Sequence, residues 1–366
     1  MKKVNPSMVV ILLVTLALLC GHSQAKAPSA VAADSYSPMK FKVASPWPPQ
    51  YLSNQIWGYA YQLITQRTKG AHTFEFFHSG AIGAPEELLS MVEKNLIGIA
   101  HTNQMYTIAR TPIGQFEYSF PFPPSDPTLA FNAKKKVVQE IPAFAENLAK
   151  YNAFWLSNIP VPRYAVMSKV PITKLADFKG KKMGVVGKYF GQWMKPAGIV
   201  PVVAPSSERY TMLQTGVIDM SLNPINDTYD FKHYEVARNL LDIDVGTFLP
   251  GDCLINLQVW NGFSPDLKKI WMDAFNEAEQ KLLRGQIPET VKMVTDGMIK
   301  AGVQVVKFPP EEKAKWAQSI PDTAAAFAAE AEGMGFPGWQ IVEKYYQVTT
   351  DMGYKWPRKW GAKPAK

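Results

Sequence analysis

Residues 207–221 read SERYTMLQTGVIDMS, and they place a helix and a strand side by side with almost no loop between them. The segment from Ser207 predicts a helix that ends at Gly216, because glycine accepts the left-handed backbone that commonly closes a helix. Residues 217–221 then predict a buried strand. A helix joined directly to a strand is the building unit of α/β folds.

The same alternation occurs in the first half of the chain. Strands are predicted at residues 41–44, 72–77 and 96–100. A helix is predicted over residues 53–69, and a second helix begins at residues 85–87, where a proline and two glutamates suit a first helical turn. This β-α-β-α-β order predicts parallel strands covered by helices.

A proline-rich passage, Ile159-Pro160-Val161-Pro162, separates this first group of elements from a second group. Beyond it, residues 164–167, 183–186 and 201–203 predict short strands. We interpret the passage as a crossing between two lobes. The sequence contains no internal repeat of the length that builds a solenoid.

A long helical segment follows a predicted strand at residues 254–260. Its start at Ser264-Pro265 combines a capping serine with proline at the first helical position. It extends to about Gly302, with a kink or break expected at Pro288, and residues 303–307 predict a further strand. The predicted organisation is a signal peptide at 1–25, lobe 1 at 37–160 plus 250–264, lobe 2 at 161–249 plus 303–340, a bridging helical segment at 265–302 and a C-terminal segment at 341–366.

The first residues of the chain predict export. Lys2 and Lys3 precede an apolar run at residues 9–19, and small residues follow at Ala25 and Ala27, as in a cleaved secretory signal. The run is short for a membrane span, which needs about 20 residues, although an uncleaved anchor is the alternative. Leu19 before Cys20 disfavours a lipoprotein signal. We therefore expect a periplasmic protein, and the remaining Cys253 would have no cysteine partner.

The formal charge of +8 does not indicate nucleic-acid binding. The lysines and arginines are spread along the chain, and no basic stripe alternates with stacking aromatic residues. An exported protein also has little access to nucleic acid. We expect no nucleic-acid partner.

Enzyme motifs are absent from the sequence. It has no Gly-x-Ser-x-Gly elbow, no phosphate-binding glycine loop and no paired histidines or cysteines spaced for zinc. We therefore expect no catalytic residues, no metal site and no cofactor. The alternatives are a ligand-sensing module of a membrane receptor and an exported hydrolase with an unrecognised site.

Several segments, taken in order, resemble the extracytoplasmic solute-binding proteins of tripartite ATP-independent periplasmic (TRAP) transporters. They are residues 78–89 (HSGAIGAPEELL), Phe120-Pro121-Phe122, residues 175–182 (LADFKGKK), residues 210–219 (YTMLQTGVID) and Asn223-Pro224. The resemblance implies two α/β lobes of the periplasmic-binding-protein fold, a long helix that touches both, and a ligand enclosed at the hinge. It also implies a monomer that delivers a small organic acid to a separate membrane permease.

The same resemblance implies that positively charged side chains bind the carboxylate of the ligand. A guanidinium can hold a carboxylate with two parallel hydrogen bonds. Family members usually carry an arginine just after the Lys-Gly-x-Lys turn, where this chain has Gly184. Arg163 lies near a second family arginine, although an offset of one residue would put Tyr164 there instead. Lys188 is a candidate for a replacement positive charge, and a solvated loop lysine is the alternative.

Two polar residues after the predicted strand at 217–221 complete this part of the expected site. Asn223 resembles the asparagine with which the family touches its ligand, and a turn-forming asparagine before Pro224 is the alternative. Asp227 could accept a hydrogen bond from a hydroxyl or amine of the ligand, or it could open a helix.

Loops at the carboxyl ends of parallel strands are the usual ligand positions in α/β proteins. Several polar and aromatic residues fall in such loops, and they are Trp47, Thr102, Asn103, Gln104, Tyr106, Tyr189 and Phe190. Aromatic residues on both lobes predict a ligand that is an apolar or aromatic organic acid.

Overall fold

The computed structural model describes residues 36–159 and 161–363. The predicted signal peptide, residues 1–25, lies outside the described residues. Within the described part of the chain, no helix combines the length and the apolar character that crossing a membrane requires.

Two β-sheets organise the structure, with strand orders β2-β1-β3-β10-β4 and β11-β9-β5-β8-β6-β7. The strands are β1 Met39–Ala44, β2 His72–Phe77, β3 Ile99–Thr102, β4 Ala153–Ile159, β5 Tyr164–Ser168, β6 Lys182–Val185, β7 Val200–Val203, β8 Met220–Pro224, β9 Asn239–Asp242, β10 Gly251–Asn256 and β11 Gln304–Lys307.

Helices cover both sheets and connect them, which confirms the predicted two-lobed α/β fold. They are α1 Leu52–Arg67, α2 Leu88–Glu93, α3 Pro127–Glu140, α4 Ala143–Ala149, α5 Gly187–Met194, α6 Arg209–Thr215, α7 Ile225–Asp230, α8 His233–Val236, α9 Leu257–Asn261, α10 Pro265–Lys281, α11 Ile287–Lys300, α12 Pro310–Ser319, α13 Thr323–Gly333 and α14 Gly338–Asp351.

The prediction of parallel strands holds for only part of each sheet. In the first sheet β1 is parallel to β2 and β3, but β10 is antiparallel to both β3 and β4. In the second sheet β6 is parallel to β7 and β8, but β5 is antiparallel to β8 and β9. β5 and β10 are each the first strand after the chain has changed sheets, whereas β11, which also follows a change of sheets, is parallel to β9.

The chain changes sheets where the proline-rich passage predicts it. β4 ends at Ile159 in the first sheet, and β5 begins at Tyr164 in the second. The chain returns between β9 and β10. The lobe boundaries given above stay a prediction.

The predicted long helical segment is α10 followed by α11. Ser264 caps α10 as expected, because its Oγ accepts a hydrogen bond of 3.2 Å from Leu267 N. A π-helical turn at Leu282–Gln286 separates the two helices, and Pro288 lies directly after it, in the first turn of α11. The first half packs on α1 and the second on α7, so this segment contacts both lobes.

The strand predicted at residues 254–260 is wrong in its second half. β10 ends at Asn256, and α9 begins at Leu257. The Asn256 side chain accepts a hydrogen bond from Val259 N at 3.1 Å and thereby caps the helix. Alternation of apolar residues alone did not reveal this cap.

The segment at 207–221 folds largely as expected. A 3-10 turn at Ser206–Glu208 leads into α6, and Gly216 closes the helix with a left-handed φ of 77°. The following strand begins only at Met220, because Ile218 N is bonded to Met212 O at the end of the helix. β3 likewise begins later than predicted, since Leu96 N is bonded to Met91 O.

Candidate functional site

The loop after β1 carries a stacked pair of aromatic rings. The rings of Trp47 and Tyr51 lie 5.5 Å apart at an interplanar angle of 17°. Asn54 of α1 holds the loop, because its Nδ2 donates to Trp47 O at 3.0 Å and to Pro48 O at 2.8 Å. The predicted site residue Trp47 is therefore half-buried in a loop of fixed shape.

A buried histidine supports this loop from behind. His101 Nδ1 lies 2.9 Å from Asn54 Oδ1, and its Nε2 lies 2.8 Å from the Tyr61 hydroxyl. Since the nitrogen of Asn54 already serves two carbonyls, its oxygen faces His101, which must then carry its proton on Nδ1. Burial lowers the pKa of His101 well below its usual value. His101 is therefore uncharged, and its role is to hold the Asn54 side chain in place by hydrogen bonds.

The last residue of β3, Thr102, and the turn after it contain four of the predicted residues. Thr102 Oγ1 is buried without a hydrogen-bond partner among the described residues. Asn103 Oδ1 accepts from Met105 N at 2.8 Å and so shapes the turn. The Gln104 side chain covers Gly114, where an added Cβ would lie 1.9 Å from Gln104 Oε1. Only Tyr106 is exposed, with 44% of its surface accessible.

The residues predicted after β6 are divided between surface and core. Lys188 is exposed, and its Nζ lies 2.6 Å from Glu330 Oε2. Tyr189 is buried against Phe327 of α13. Phe190 is only 1% exposed, and it packs against a cluster of rings formed by Tyr118, Tyr164, Trp193 and Phe248. The structure therefore places Phe190 in the hydrophobic core.

Arg163 and Tyr164 have different surroundings at the start of β5. Arg163 Nη1 lies 3.6 Å from Asp242 Oδ1, and 29% of its side chain is accessible. Tyr164 is 4% exposed and belongs to the ring cluster. The positive charges of Arg163 and Lys188 thus both have a carboxylate partner.

Tyr51, in the loop between β1 and α1, lies near Asp227 of α7, and we call the space beside these two residues the cleft. Burial, and next the nearby Asp227 carboxyl, raises the pKa of Tyr51 well above its usual value. Asp227 is 5% exposed, and its Oδ1 accepts from Asn226 Nδ2 at 3.0 Å. Burial, aided by Asp230 and opposed by Arg209, raises the pKa of Asp227 to about 7.

The amide of Asn223 is fully occupied. Its Oδ1 accepts from Ser206 Oγ at 2.6 Å and from Arg209 Nη1 at 2.9 Å. Its Nδ2 donates to Ser221 Oγ at 2.8 Å and lies 3.2 Å from His233 Nδ1. A ligand that contacts this amide would have to replace one of these partners, and the predicted contact stays a prediction.

Sequence reasoning missed Arg209, the first residue of α6. The side chain is fully buried, and its Nε and Nη2 donate to Ala204 O at 3.0 and 2.7 Å. Nη1 donates to Leu222 O at 2.8 Å and to Asn223. Within residues 36–159 and 161–363, no carboxylate lies within 4.0 Å of this guanidinium. Burial lowers the pKa of Arg209 to about 10, although Tyr164 and Asp227 oppose the shift.

Arg209 occupies the space that a side chain at Gly184 would need. A Cβ added to Gly184 would lie 2.8 Å from Arg209 Cδ and 2.9 Å from Ile218 Cδ1. The position at which the resemblance implied an arginine is therefore covered by an arginine from the neighbouring helix. A glycine at that position together with an arginine at the start of α6 is the sequence signal that could have identified it.

Comparisons with known proteins agree with this architecture. The sequence model for bacterial extracellular solute-binding protein, family 7, matches residues 46–330. The chain is 26% identical over 247 residues to the 2,3-diketo-L-gulonate-binding periplasmic protein YiaO of Escherichia coli (strain K12), covering 67% of this chain and 74% of that one. It is 23% identical over 283 residues to the ectoine-binding periplasmic protein TeaA of Halomonas elongata, covering 75% and 80%.

A solved structure shows the same fold. It is a TRAP periplasmic solute-binding protein from Desulfovibrio salexigens with bound orotic acid, which superimposes with a TM-score of 0.73 at 22% identity and covers 86% of this chain and 99% of that one. The chain thus belongs to the extracytoplasmic solute-binding proteins of TRAP transporters, family 7 of the bacterial extracellular solute-binding proteins, and is a periplasmic binding protein, not an enzyme.

Proposed function

We propose that this protein captures a small organic acid in the cleft and delivers it to the membrane permease of a TRAP transporter. Two of the similar proteins support an acidic ligand, because one is named for 2,3-diketo-L-gulonate and the other holds orotic acid. The observation that carries the proposal is the buried Arg209 guanidinium, which has no carboxylate partner in the described chain.

A buried charge without a counterion is costly unless a ligand supplies the opposite charge. Arg209 satisfies much of its hydrogen-bonding capacity with Ala204 O, Leu222 O and Asn223, but these partners are neutral. This charge would stabilise an anion bound in the cleft, because electrostatic attraction is strong in surroundings of low dielectric constant. Because the side chain itself is buried, we assign Arg209 a positioning role, acting through its field and through Asn223.

Closure of the two lobes is the proposed means of capture. Tyr51 lies in the loop after β1 and Asp227 in α7, which follows β8, so they flank the cleft from the two lobes. Met105, after β3, likewise lies against Gly187 at the start of α5. A ligand that touches both sides is bound fully only when the lobes close. It therefore shifts the population toward the closed form, whose surface the permease would recognise.

The stacked rings of Trp47 and Tyr51 support a ligand with an apolar face. Tyr106, which is exposed, could extend that surface. An apolar or aromatic acid, a monomeric state and the permease partner stay predictions.

Mass spectrometry of small molecules that co-purify with the protein, followed by calorimetry with a panel of carboxylic acids, tests the proposal. We expect Arg209→Gln to weaken binding of the best acid by about tenfold, because the substitution removes a buried positive charge whose attraction for the anion is little screened by solvent. Arg67→Gln is the matched control, because Arg67 lies on α1 outside the candidate site and has Glu277 as its partner.

Two further measurements make the result decisive. Circular dichroism checks that Arg209→Gln is folded, and Arg209→Lys, which keeps the charge, should retain more affinity than Arg209→Gln. If no acid in the panel binds, or if folded Arg209→Gln binds like the wild type, the proposal is wrong.

A further inference from the structure

Hydrogen-bond acceptors are concentrated on α7, beside the cleft. Asp227 and Asp230 are three residues apart, so both lie on one side of the helix. The Asn226 amide bonds to Asp227 Oδ1 at 3.0 Å and also stabilises the Asp230 carboxylate. Asp227 is buried and Asp230 is exposed. The pair thus reaches from the interior to the surface.

Neither of these carboxylates has a positively charged partner. Among the residues that the structure describes, no lysine, arginine or histidine nitrogen lies within 4.0 Å of Asp227 or Asp230. Buried carboxylates in proteins are normally paired, because an unpaired one carries a large desolvation cost. The nearest cation that influences Asp227 is Arg209, which acts at longer range.

A third acceptor lies beside the two carboxylates and is independent of them. Asn226 is 5% exposed, and its Oδ1 is buried without a partner in the described chain. Its Nδ2 faces the carboxylates, which fixes the orientation of the amide and leaves the oxygen unused. A buried carbonyl oxygen of this kind calls for a donor that the protein itself does not provide.

Tyrosine side chains lie near the same place. Tyr51 lies close enough to Asp227, Tyr164, Tyr106 and Asp230 for each of them to affect its ionisation. A tyrosine hydroxyl oxygen can accept a hydrogen bond. Acidic groups, an unused carbonyl oxygen and a nearby hydroxyl all favour a positively charged donor.

We infer that this group of residues, Asp227, Asp230, Asn226 and Tyr51, binds a positively charged nitrogen of the ligand, so that the captured acid is a zwitterion. The inference rests on the proposed function, in which the field of Arg209 stabilises the carboxylate of the same molecule. The two ends of the ligand would then be recognised by opposite charges on the second lobe. A hydroxylated acid without nitrogen is the competing ligand.

Two matched sets of compounds test this inference by calorimetry. One set contains zwitterions such as alanine, proline and betaines, and the other contains the corresponding acids in which a hydroxyl or methylene replaces the nitrogen, such as lactate and cyclopentanecarboxylate. We expect the best zwitterion to bind about tenfold or more tightly than its counterpart, as one desolvated charge pair allows. Asp227→Asn should remove that difference, whereas Asp273→Asn, at an exposed ion pair with Lys269, should leave it unchanged.

Proton release gives a second readout. Since the pKa of Asp227 is about 7, part of the population carries a proton there at neutral pH, and a bound cation should expel it. Binding enthalpies measured at pH 7 in two buffers of different ionisation enthalpy should then differ for the zwitterion, and less so for Asp227→Asn.

The outcomes separate this inference from the proposed function. If nitrogen-free acids bind as tightly as their zwitterionic counterparts, or if Asp227→Asn leaves the preference intact, the inference is wrong while organic-acid capture stands. If neither set of compounds nor the wider acid panel binds, both are wrong.

Discussion

Arg209 of α6 lies directly over Gly184 of β6, so that a Cβ added to the glycine would lie 2.8 Å from Arg209 Cδ. The strand needs glycine here because a guanidinium from another element fills the space above its backbone. A positive charge is therefore present where the family resemblance implied one, although the residue that carries it comes from a different part of the chain.

This relationship predicts that the two positions can be exchanged. Gly184→Arg alone should destabilise the protein by about 1–3 kcal/mol, because it overfills an occupied space. Arg209→Leu alone should weaken ligand binding, because it removes the charge. The double variant Gly184→Arg/Arg209→Leu should bind more tightly than Arg209→Leu and should be more stable than Gly184→Arg.

Urea unfolding and calorimetry measure these effects. Gly58→Ala is the matched control, because a Cβ at Gly58 meets no atom within 4 Å. Strictly additive effects of the two substitutions would show that the positions do not share one space.

The raised pKa of Asp227 predicts a pH-dependent stability of the ligand-free protein. The pKa is about 7 in the folded state against 3.8 for a free side chain, so the folded state holds the proton more strongly. The contribution of Asp227 to the free energy of unfolding is therefore fully present below about pH 4, and it is lost as the pH rises toward 7. Asp227→Asn should therefore be more stable than the wild type at pH 7.5, by on the order of a few kcal/mol, with a smaller advantage at pH 4.5.

Urea unfolding at pH 4.5, 6 and 7.5 measures this difference. Asp273→Asn serves again as the control, because its carboxylate is exposed. An advantage of Asp227→Asn that stays constant across the three pH values would contradict the prediction.

Asn223 is expected to act mainly by holding Arg209 in place. Asn223→Ala removes the acceptor of Arg209 Nη1 and Ser206 Oγ and leaves His233 Nδ1 without its donor. We expect the free energy of unfolding to fall by about 1–3 kcal/mol, the usual cost of unsatisfied buried groups. Thermal unfolding monitored beside Asn276→Ala, which loses only an exposed bond to Lys135, measures the effect. Equal losses in both variants would refute it.

The first lobe contains a buried ion pair. We predict that substitutions of its two residues change the free energy of unfolding in a strongly non-additive way. Lys134 Nζ lies 2.6 Å from Glu117 Oε1, and the side chains are 3% and 1% exposed. Lys134→Met should cost about 3–5 kcal/mol, because it leaves a buried carboxylate unpaired. Adding Glu117→Leu should recover much of this loss.

The exposed pair of Lys292 and Asp296 on α11 provides the control. Lys292→Met should change the free energy of unfolding by less than about 1 kcal/mol, since solvent screens that pair. Chemical denaturation of the four variants gives the comparison, and a double variant no more stable than Lys134→Met alone would be the contrary result.

Local signals in the sequence were sufficient for many element boundaries. The strand at His72–Phe77, the start of α10 at Ser264-Pro265 and the end of α6 at Gly216 were all predicted correctly. Each depends on interactions between residues a few positions apart, such as a serine cap or a glycine in a left-handed conformation. The family resemblance added the two-lobed architecture and the expectation of a bound solute.

The sequence alone did not predict the contacts between segments that are far apart in the chain. The antiparallel direction of β10, the capping role of Asn256 and the buried place of Phe190 depend on neighbours far away in the chain. The same is true of the candidate site. Arg209 and Gly184 are 25 positions apart, and Tyr51 and Asp227 belong to different lobes. Only the folded chain therefore decides which charges lie beside the cleft and which are left without a partner.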